Sequence, residues 1–354
     1  MLIVEPYGGP EMLNVAQWPM EAIVLLFAGA GAAIAVTGTR ISGTADRLAD
    51  VTGWGEAIFG AVLLGGSTSL SGLVTSVAAA AGGHPDLAIS NAIGGIAVQT
   101  FFLAVADAVY RGVNLEHAAA SLENLLQGAL LIVLLALPLV FRSAPQSSIA
   151  GVHPGSIILA AAYLFGMRVV MRGRRQPMWR ARRTEETRED PGGAGATSRT
   201  KRRLWIEFSV CAAVLLLAGM LIMRTGVEIS ERTGLSETFV GALLTAVVTS
   251  LPELITSVAA VRRGALTLAV GNIIGGNSFD MLFLAGADMA FRPGAIYAAM
   301  TSRHALLISV TILMTGVLLL GLLRREKRGI GNIGFESVLV LVIYVAAMIM
   351  LATG

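Results

Sequence analysis

Two carboxylates stand in strongly apolar surroundings. Glu253 lies in "GALLTAVVTSLPELITSVAA" and Asp280 in "LAVGNIIGGNSFDMLF". On a helix crossing a bilayer, a central aspartate costs about 2.5–3.5 kcal/mol on insertion scales, so such residues are functional by default. The alternative is a protonated, hydrogen-bonded structural acid. Thr249 and Ser250 fall within one helical turn of Glu253 and present hydroxyl oxygens close to its face. Pro252 has no N–H and frees the carbonyl of Val248 four residues back. Inside hydrocarbon that carbonyl needs a partner, either a cation or a neighbouring hydroxyl. Carboxylates, hydroxyls and carbonyls are hard oxygen ligands, suited to Ca²⁺, Na⁺ or an exchangeable proton rather than to soft transition metals. For Thr75, Ser76, Thr256 and Ser257, hydroxyl packing between helices is the preferred reading.

The surroundings of these residues are set by the whole chain. Of its 354 residues 55% are hydrophobic and 14% charged, against about 25% charged in a soluble domain. The mean hydropathy is +0.73. That composition belongs in a bilayer. Apolar runs of spanning length, about 20 residues, occur near 20–37, 56–80, 86–110, 119–141, 153–171, 204–224, 237–261, 266–290, 302–323 and 333–352. They are long and do not alternate as barrel strands do, so the expected fold is an all-α polytopic membrane protein of about ten helices. The start of the chain lacks the basic segment of a cleavable signal, so the run beginning near Met20 reads as a retained helix.

Between runs five and six, residues 172–203 are basic and rich in Gly, Pro and Thr. They read as a solvated, mostly disordered linker. Beside a membrane this basic stretch is a topology signal against anionic lipid rather than a nucleic-acid surface. Placing it in the cytoplasm puts Arg40, Arg47, Arg111, Arg262, Arg263, Arg324, Arg325, Lys327 and Arg328 on the same side and both termini outside.

The two carboxylate-bearing stretches belong to a duplication. Residues 52–111 align with 233–292 without a gap, and 28 of the 60 positions are identical. The units are thus 1–171, the linker 172–203, and 204–354. Five runs per unit is an odd number, so the second unit enters the membrane from the opposite side. Two inverted-topology five-helix repeats of this kind bind substrate near the midplane, on helices interrupted by Gly or Pro. Gly94-Gly95 and Gly275-Gly276 are such interruptions, alongside Pro252. Thr68 and Ser69 repeat Thr249 and Ser250. Asn91 and Asn272 match just before the double glycines, as ligands or as braces. Asn277 is a further possible ligand without a counterpart.

Other charges have structural readings. Glu56 and Glu237 fall near helix starts, where a carboxylate complements the helix dipole. Asp107 and Asp288 each precede an arginine by four residues, Arg111 and Arg292, an i,i+4 pairing. A single cysteine, Cys211, excludes an intramolecular disulfide and multi-cysteine metal sites. The four histidines have no metal-ligand spacing, and no nucleophile–base pair marks an enzyme. No cofactor is expected.

The stretches around Glu253 and Asp280 resemble the second α-repeat of the Ca²⁺/cation antiporter superfamily, in its Na⁺/Ca²⁺ exchanger group. The motifs T-S-L-P-E and G-N-x-x-G-[SG]-N-x-F-[DN] carry the resemblance. It extends over nearly the whole chain except the linker. It implies two five-helix bundles that bind cations between spans 2, 3, 7 and 8 and work by alternating access. Carried over by position, it implies ligands at Thr249, Ser250, Glu253, Asp280, Thr68 and Ser69. Gly276 stands where many members have serine. In the first repeat Gly72 replaces the usual glutamate, Gly95 the usual serine, and Gln99 the usual asparagine. Gln99 still offers a carbonyl oxygen, and Gly72 leaves space for water or a main-chain carbonyl.

The expected function is therefore a plasma-membrane antiporter exchanging Ca²⁺ for Na⁺ or H⁺. The expected partners are inorganic cations and lipid. The missing third carboxylate favours a rival, a Na⁺, K⁺ or Li⁺/H⁺ antiporter without Ca²⁺ transport. A membrane cation sensor that does not transport is the second rival.

Overall fold

The computed structural model describes residues 15–52, 66–110, 114–149, 151–175, 198–262, 266–326 and 333–353. Glu56, Gly65, Arg111, Arg263, Lys327, Arg328 and most of the linker lie outside them. The described chain is helical, with one isolated bridge between Ile149 and Val152. In order the helices are α1 (Met20–Thr52), α2 (Leu70–Ala81), α3 (Pro85–Val109), α4 (Leu115–Ala119), α5 (Leu122–Ser143) and α6 (Pro154–Arg175). There follow α7 (Ser198–Thr233), α8 (Glu237–Thr249), α9 (Leu251–Arg262), α10 (Leu266–Asp280), α11 (Leu282–Ala290), α12 (Ser302–Arg324) and α13 (Phe335–Thr353).

Seven of these helices are long and apolar enough to cross a membrane, or eight when the bent pair α8–α9 is one span. Ten runs were expected. The difference falls on the interrupted runs. Residues 56–65 of run two lie outside the described residues, which show its later part as α2, and run eight is split at Met281 into α10 and α11. Two helices outrun their apolar segments. α1 continues to Thr52, and α7 starts at Ser198, within the stretch read as linker. Their 33 and 36 residues make about 50 Å of helix each, against a hydrocarbon core of about 30 Å. Hydropathy marks only the part inside hydrocarbon, so it missed the polar continuations.

The apolar interior divides in two. The larger cluster runs through α2 to α6 and α8 to α13. A separate cluster joins α1 to α7 through Ala30, Ile34, Ile41, Cys211, Leu215, Ala218 and Ile222. Leu70 of α2 and Val248 of α8 pack against this cluster, and glycines bring the α1–α7 pair closest to the rest. A Cβ on Gly38 would lie 2.3 Å from the Pro252 ring, and one on Gly219 would lie 2.8 Å from the Ser71 carbonyl. The two glycines are separated by the same offset as the aligned stretches, and so are their contacts. The repeat thus extends beyond the positions aligned above.

Two aspartates stitch the ends of the bundle. Asp107 accepts from the backbone N–H of Leu115 at 2.7 Å and of Gly334 at 3.0 Å. Asp288 accepts from Ile296 at 3.0 Å and His153 at 2.7 Å. Leu115 corresponds to Ile296, and His153 to Gly334, by the offset that relates the two aspartates. Arg111, the expected partner of Asp107, lies outside the described residues; for Asp288 the structural reading stands with a different partner. The Asp288 carboxylate takes backbone N–H groups and the Ser156 hydroxyl rather than an arginine one turn on. Glu237 opens α8, where Ser236 caps the helix. Its carboxylate also binds His84 Nδ1 at 2.7 Å. That contact holds the His84 imidazole above its ordinary pKa.

A close backbone approach joins α3 to α8. α8 widens into a π-helical segment at Val240–Thr245, a form often found at functional sites. A Cβ on Gly94 would lie 2.5 Å from Ala242 Cα, and one on Gly241 would lie 3.0 Å from the Leu87 carbonyl. Neither backbone can yield as a side-chain tip does. Gly94→Ala is expected to lower stability by about 1–3 kcal/mol through overpacking. Gly29→Ala, at an exposed position with nothing within 4 Å, should change it by less than about 0.5 kcal/mol. Thermal unfolding of the two variants in detergent checks the contrast.

Candidate cation site

Equivalent breaks in the two repeats build the site. Ser69 and Ser250 interrupt their helices with nearly the same backbone, φ −86°, ψ 5° and φ −97°, ψ 6°. The bend between α8 and α9 is 47°. Pro252, second residue of α9, cannot continue the hydrogen-bond ladder back to α8. Ser71, from the opposite repeat, donates to the Thr249 carbonyl at 3.3 Å. A hydroxyl thus answers the carbonyl beside the break.

Glu253 and Asp280 are 5% and 1% exposed. Ser69 donates to Glu253 Oε1 at 3.3 Å, and Thr68 reaches the same carboxyl. Gln99 Nε2 donates to Asp280 Oδ2 at 2.6 Å and to the Ser250 hydroxyl at 3.4 Å. Gln99 and Asp280 occupy equivalent repeat positions, so the repeats face each other across this contact. Glu253 Oε2, Asp280 Oδ1 and Gln99 Oε1 are buried and have no partner. Among the described residues neither carboxylate has an ion pair. Nor, among them, do three Asp, Glu, His or Cys side chains converge as a metal centre. Any cation held here draws its remaining ligands from hydroxyl, amide and main-chain oxygens or from water.

The structure therefore gathers Glu253, Asp280, Thr68, Ser69, Ser250 and Gln99. Thr249 is buried beside them and donates to its own helix, to Thr245 O at 2.9 Å. Asn91 is a brace. Its Nδ2 donates to the Gly72 carbonyl and to Ser76, and its Oδ1 accepts from Thr245 at 2.7 Å. Asn272, its sequence counterpart, is exposed and makes no hydrogen bond in this group. Repeat symmetry in sequence did not extend to its surroundings. Asn277 donates to Thr100 at 3.2 Å and keeps an unpartnered Oδ1. Thr75 supplies the expected interhelical contact, to Gly219 O at 3.1 Å.

The vacancy expected at Gly72 is filled. A Cβ there would lie 2.9 Å from the Phe283 ring and 3.7 Å from Thr249 Oγ1. Phe279 stands edge-on to Phe283 with ring centres 6.3 Å apart and lies against Gly66 in the same way. Two glycines of one repeat thus receive two aromatic rings of the other. Sequence reasoning missed Phe283, Ser71 and Thr245. Phenylalanine at 283 matches Phe102 in the alignment and gave no sign of facing Gly72.

Comparison with known proteins agrees with this architecture. The family model "Sodium/calcium exchanger protein" matches residues 22–172 and 203–353. The chain belongs to the sodium/calcium exchanger family, a class of integral membrane cation antiporters. It is 29% identical over 273 residues to "Putative antiporter CaxA" of Alkalimonas amylolytica, covering 77% of this chain and 82% of that protein. It is 29% identical over 141 residues to "Sodium/calcium exchanger MaX1" of Methanosarcina acetivorans, covering 40% of this chain and 38% of that one. The crystal structure of the H⁺/Ca²⁺ exchanger CAX shares the fold. Its TM-score is 0.68 at 12% identity, over 93% of this chain and 84% of that chain.

Phe283 decides what a carboxylate at position 72 would do. Gly72→Glu alone is expected to lower the unfolding temperature, because the ring must move. Combining it with Phe283→Ala should recover part of that loss and strengthen Ca²⁺ binding relative to Phe283→Ala alone. Thermal shift and ⁴⁵Ca²⁺ binding on the three variants test the coupling, which must be non-additive for residues in contact.

Proposed function

We propose that the protein exchanges Ca²⁺ for Na⁺ or H⁺ across the plasma membrane by alternating access. One observation carries this reading. Glu253 and Asp280 are both buried, the first bonded by Ser69 and the second by Gln99, each with one oxygen unpartnered and no ion pair to either among the described residues. Leaving two charges buried without a counter-charge costs several kcal/mol per ion. A bound cation or protons must supply the missing charge. The proposed ligands are both carboxylates, the hydroxyls of Thr68, Ser69, Thr249 and Ser250, and the carbonyl oxygen of Gln99.

Two carboxylates formally neutralise one Ca²⁺. They can equally hold monovalent ions or protons, so the exchanged species compete for the same oxygens. That competition is the coupling: the site is stable only when loaded, and each loading displaces the other. We propose ten spans in two inverted repeats, with both termini outside and the basic linker in the cytoplasm. The separate α1–α7 cluster and its glycine contacts at Pro252 and Ser71 support a moving pair that slides past a fixed ion-binding core. Interfaces of small residues permit close approach with little interlocking.

A second reading rests on Gly72 and Phe283. With the space for a third carboxylate taken by a ring, the site carries less negative charge for a divalent ion. An exchanger of Na⁺, K⁺ or Li⁺ for H⁺ fits that charge. Purified protein in proteoliposomes separates the two. Ca²⁺ uptake against an imposed Na⁺ or pH gradient is expected. If Ca²⁺ neither moves nor competes with Na⁺, the monovalent reading replaces the first. Glu253→Gln should reduce exchange to the level of empty liposomes with insertion intact, and unchanged flux would remove Glu253 from the mechanism.

A further inference from the structure

A second group of buried acids lies away from the cation site, where α4 meets the start of α13. Glu116 and Glu336 are each 1% exposed, and Asp107 is fully buried beside them. Asp107 is satisfied as an anion by two backbone N–H groups. Glu116 receives one long bond, from the Ser337 hydroxyl at 3.5 Å, and its other oxygen is unpartnered. Glu336 has no hydrogen-bond partner on either oxygen, and its carboxyl neighbours that of Glu116. Its carboxyl is wedged against Gly321 and Gly334, where even a Cβ would not fit. It therefore cannot swing out to water without moving the end of α12.

The repeat supplies a neutral control. Displaced by one repeat length, Glu116 corresponds to Tyr297, Ser337 to Ser156, and Glu336 to Gly155. Ser156 and Tyr297 share a hydrogen bond at 3.0 Å beside Asp288. The two ends use the same scaffold, and one carries two added carboxyls in place of a phenol and a glycine. The scaffold itself has no need of the acids, because its counterpart closes without them.

Among the described residues neither glutamate has an ion pair. Asp107 faces the pair from α3, and Glu326 faces it from the segment after α12. His117, next on α4, binds the Arg325 carbonyl through Nδ1. Arg325 donates to the His117 carbonyl. Arg324 is 60% exposed and paired with Glu326. α10 brings no charge to this end, since its one acid is Asp280. Burial, and then the charges of Asp107 and Glu336, push the Glu116 carboxyl well above the usual carboxylate range. The three acids do not converge as metal ligands, so the occupant consistent with the geometry is a proton. Two acceptor-only carboxylates cannot bond each other; a carboxyl O–H can donate to a carboxylate.

We infer that Glu116 and Glu336 form a proton-binding site, distinct from the cation site, in which one shared proton clasps α4 to the start of α13. The proton comes from water. Its release leaves two anions facing each other in a closed space, with Asp107 adjacent. The sign follows from linkage. A carboxyl held protonated in the folded state adds stability at low pH, and this is lost as pH rises toward its raised native pKa. The clasp therefore weakens on the alkaline side.

The test follows thermal unfolding of the full-length protein in detergent from pH 5 to 9. It uses a Glu253→Gln/Asp280→Asn background, so that the cation site does not contribute. The parent should lose stability as pH rises. Glu336→Gln supplies a fixed N–H donor in place of the proton and should abolish most of that loss. Glu116→Gln should do the same, and the double variant should add little. The infrared carbonyl band of a protonated carboxylic acid at pH 7 should be present in the parent and absent from Glu336→Gln. An unchanged pH slope in both single variants, or a band that persists in both, overturns the proposal. If a glutamine variant does not fold, Glu336→Gly, which installs the counterpart residue, takes its place in both measurements. Neither readout depends on transport, so failure here and failure of the exchanger reading are separate results.

Discussion

Two carboxylates buried without a basic partner among the described residues are the constraint around which this fold is arranged. An isolated anion taken into a low-dielectric interior is so unfavourable that it must be met by a counter-ion, a proton or several hydrogen bonds. Here the hydrogen bonds are incomplete. Ser69, Thr68 and Gln99 satisfy part of each group and leave oxygens open. Arginine or lysine at this place would complete the charge and close the site permanently. A mobile counter-charge makes occupancy exchangeable, and that is the property an antiporter requires.

The rest of the core serves to hold that arrangement open. The breaks at Ser69 and Ser250 free backbone groups at the level of the carboxylates. Such freed groups are tolerated in membranes only where protein or a polar cavity meets them. Asn91 therefore commits its whole amide to Gly72, Ser76 and Thr245. Glycines bring α3 against α8, and α1 and α7 against the two breaks. The broken helices gain from close packing what they lose in ladder hydrogen bonds.

The two repeats share a scaffold and differ in chemistry. Asp107 and Asp288 make matching bonds to backbone N–H groups displaced by one repeat length. On that common frame, Glu253 corresponds to a glycine position closed by Phe283, and Glu116 stands where the other end has Tyr297. Divergence has been concentrated in side chains that do not carry the frame. A duplicated protein can change its ions in this way without losing its fold.

Much of this was legible in the sequence. Composition and run length determined a helical membrane protein, and the gapless match of 52–111 to 233–292 determined the duplication. Glu253 and Asp280 stood out because charge is costly in hydrocarbon wherever it occurs, and Ser250 and Ser69 because their hydroxyls lie within a turn of Glu253 or of its repeat counterpart. Local rules reached no further. The pairing of Gln99 with Asp280 and the filling of Gly72 by Phe283 depend on which faces meet between helices far apart in sequence. So do the split fates of Asn91 and Asn272 and the clustering of Glu116 with Glu336. Helical periodicity shows that a residue has a face. Only the packed structure decides what that face touches, because helix–helix contacts are set by steric fit between surfaces that the chain order does not bring together.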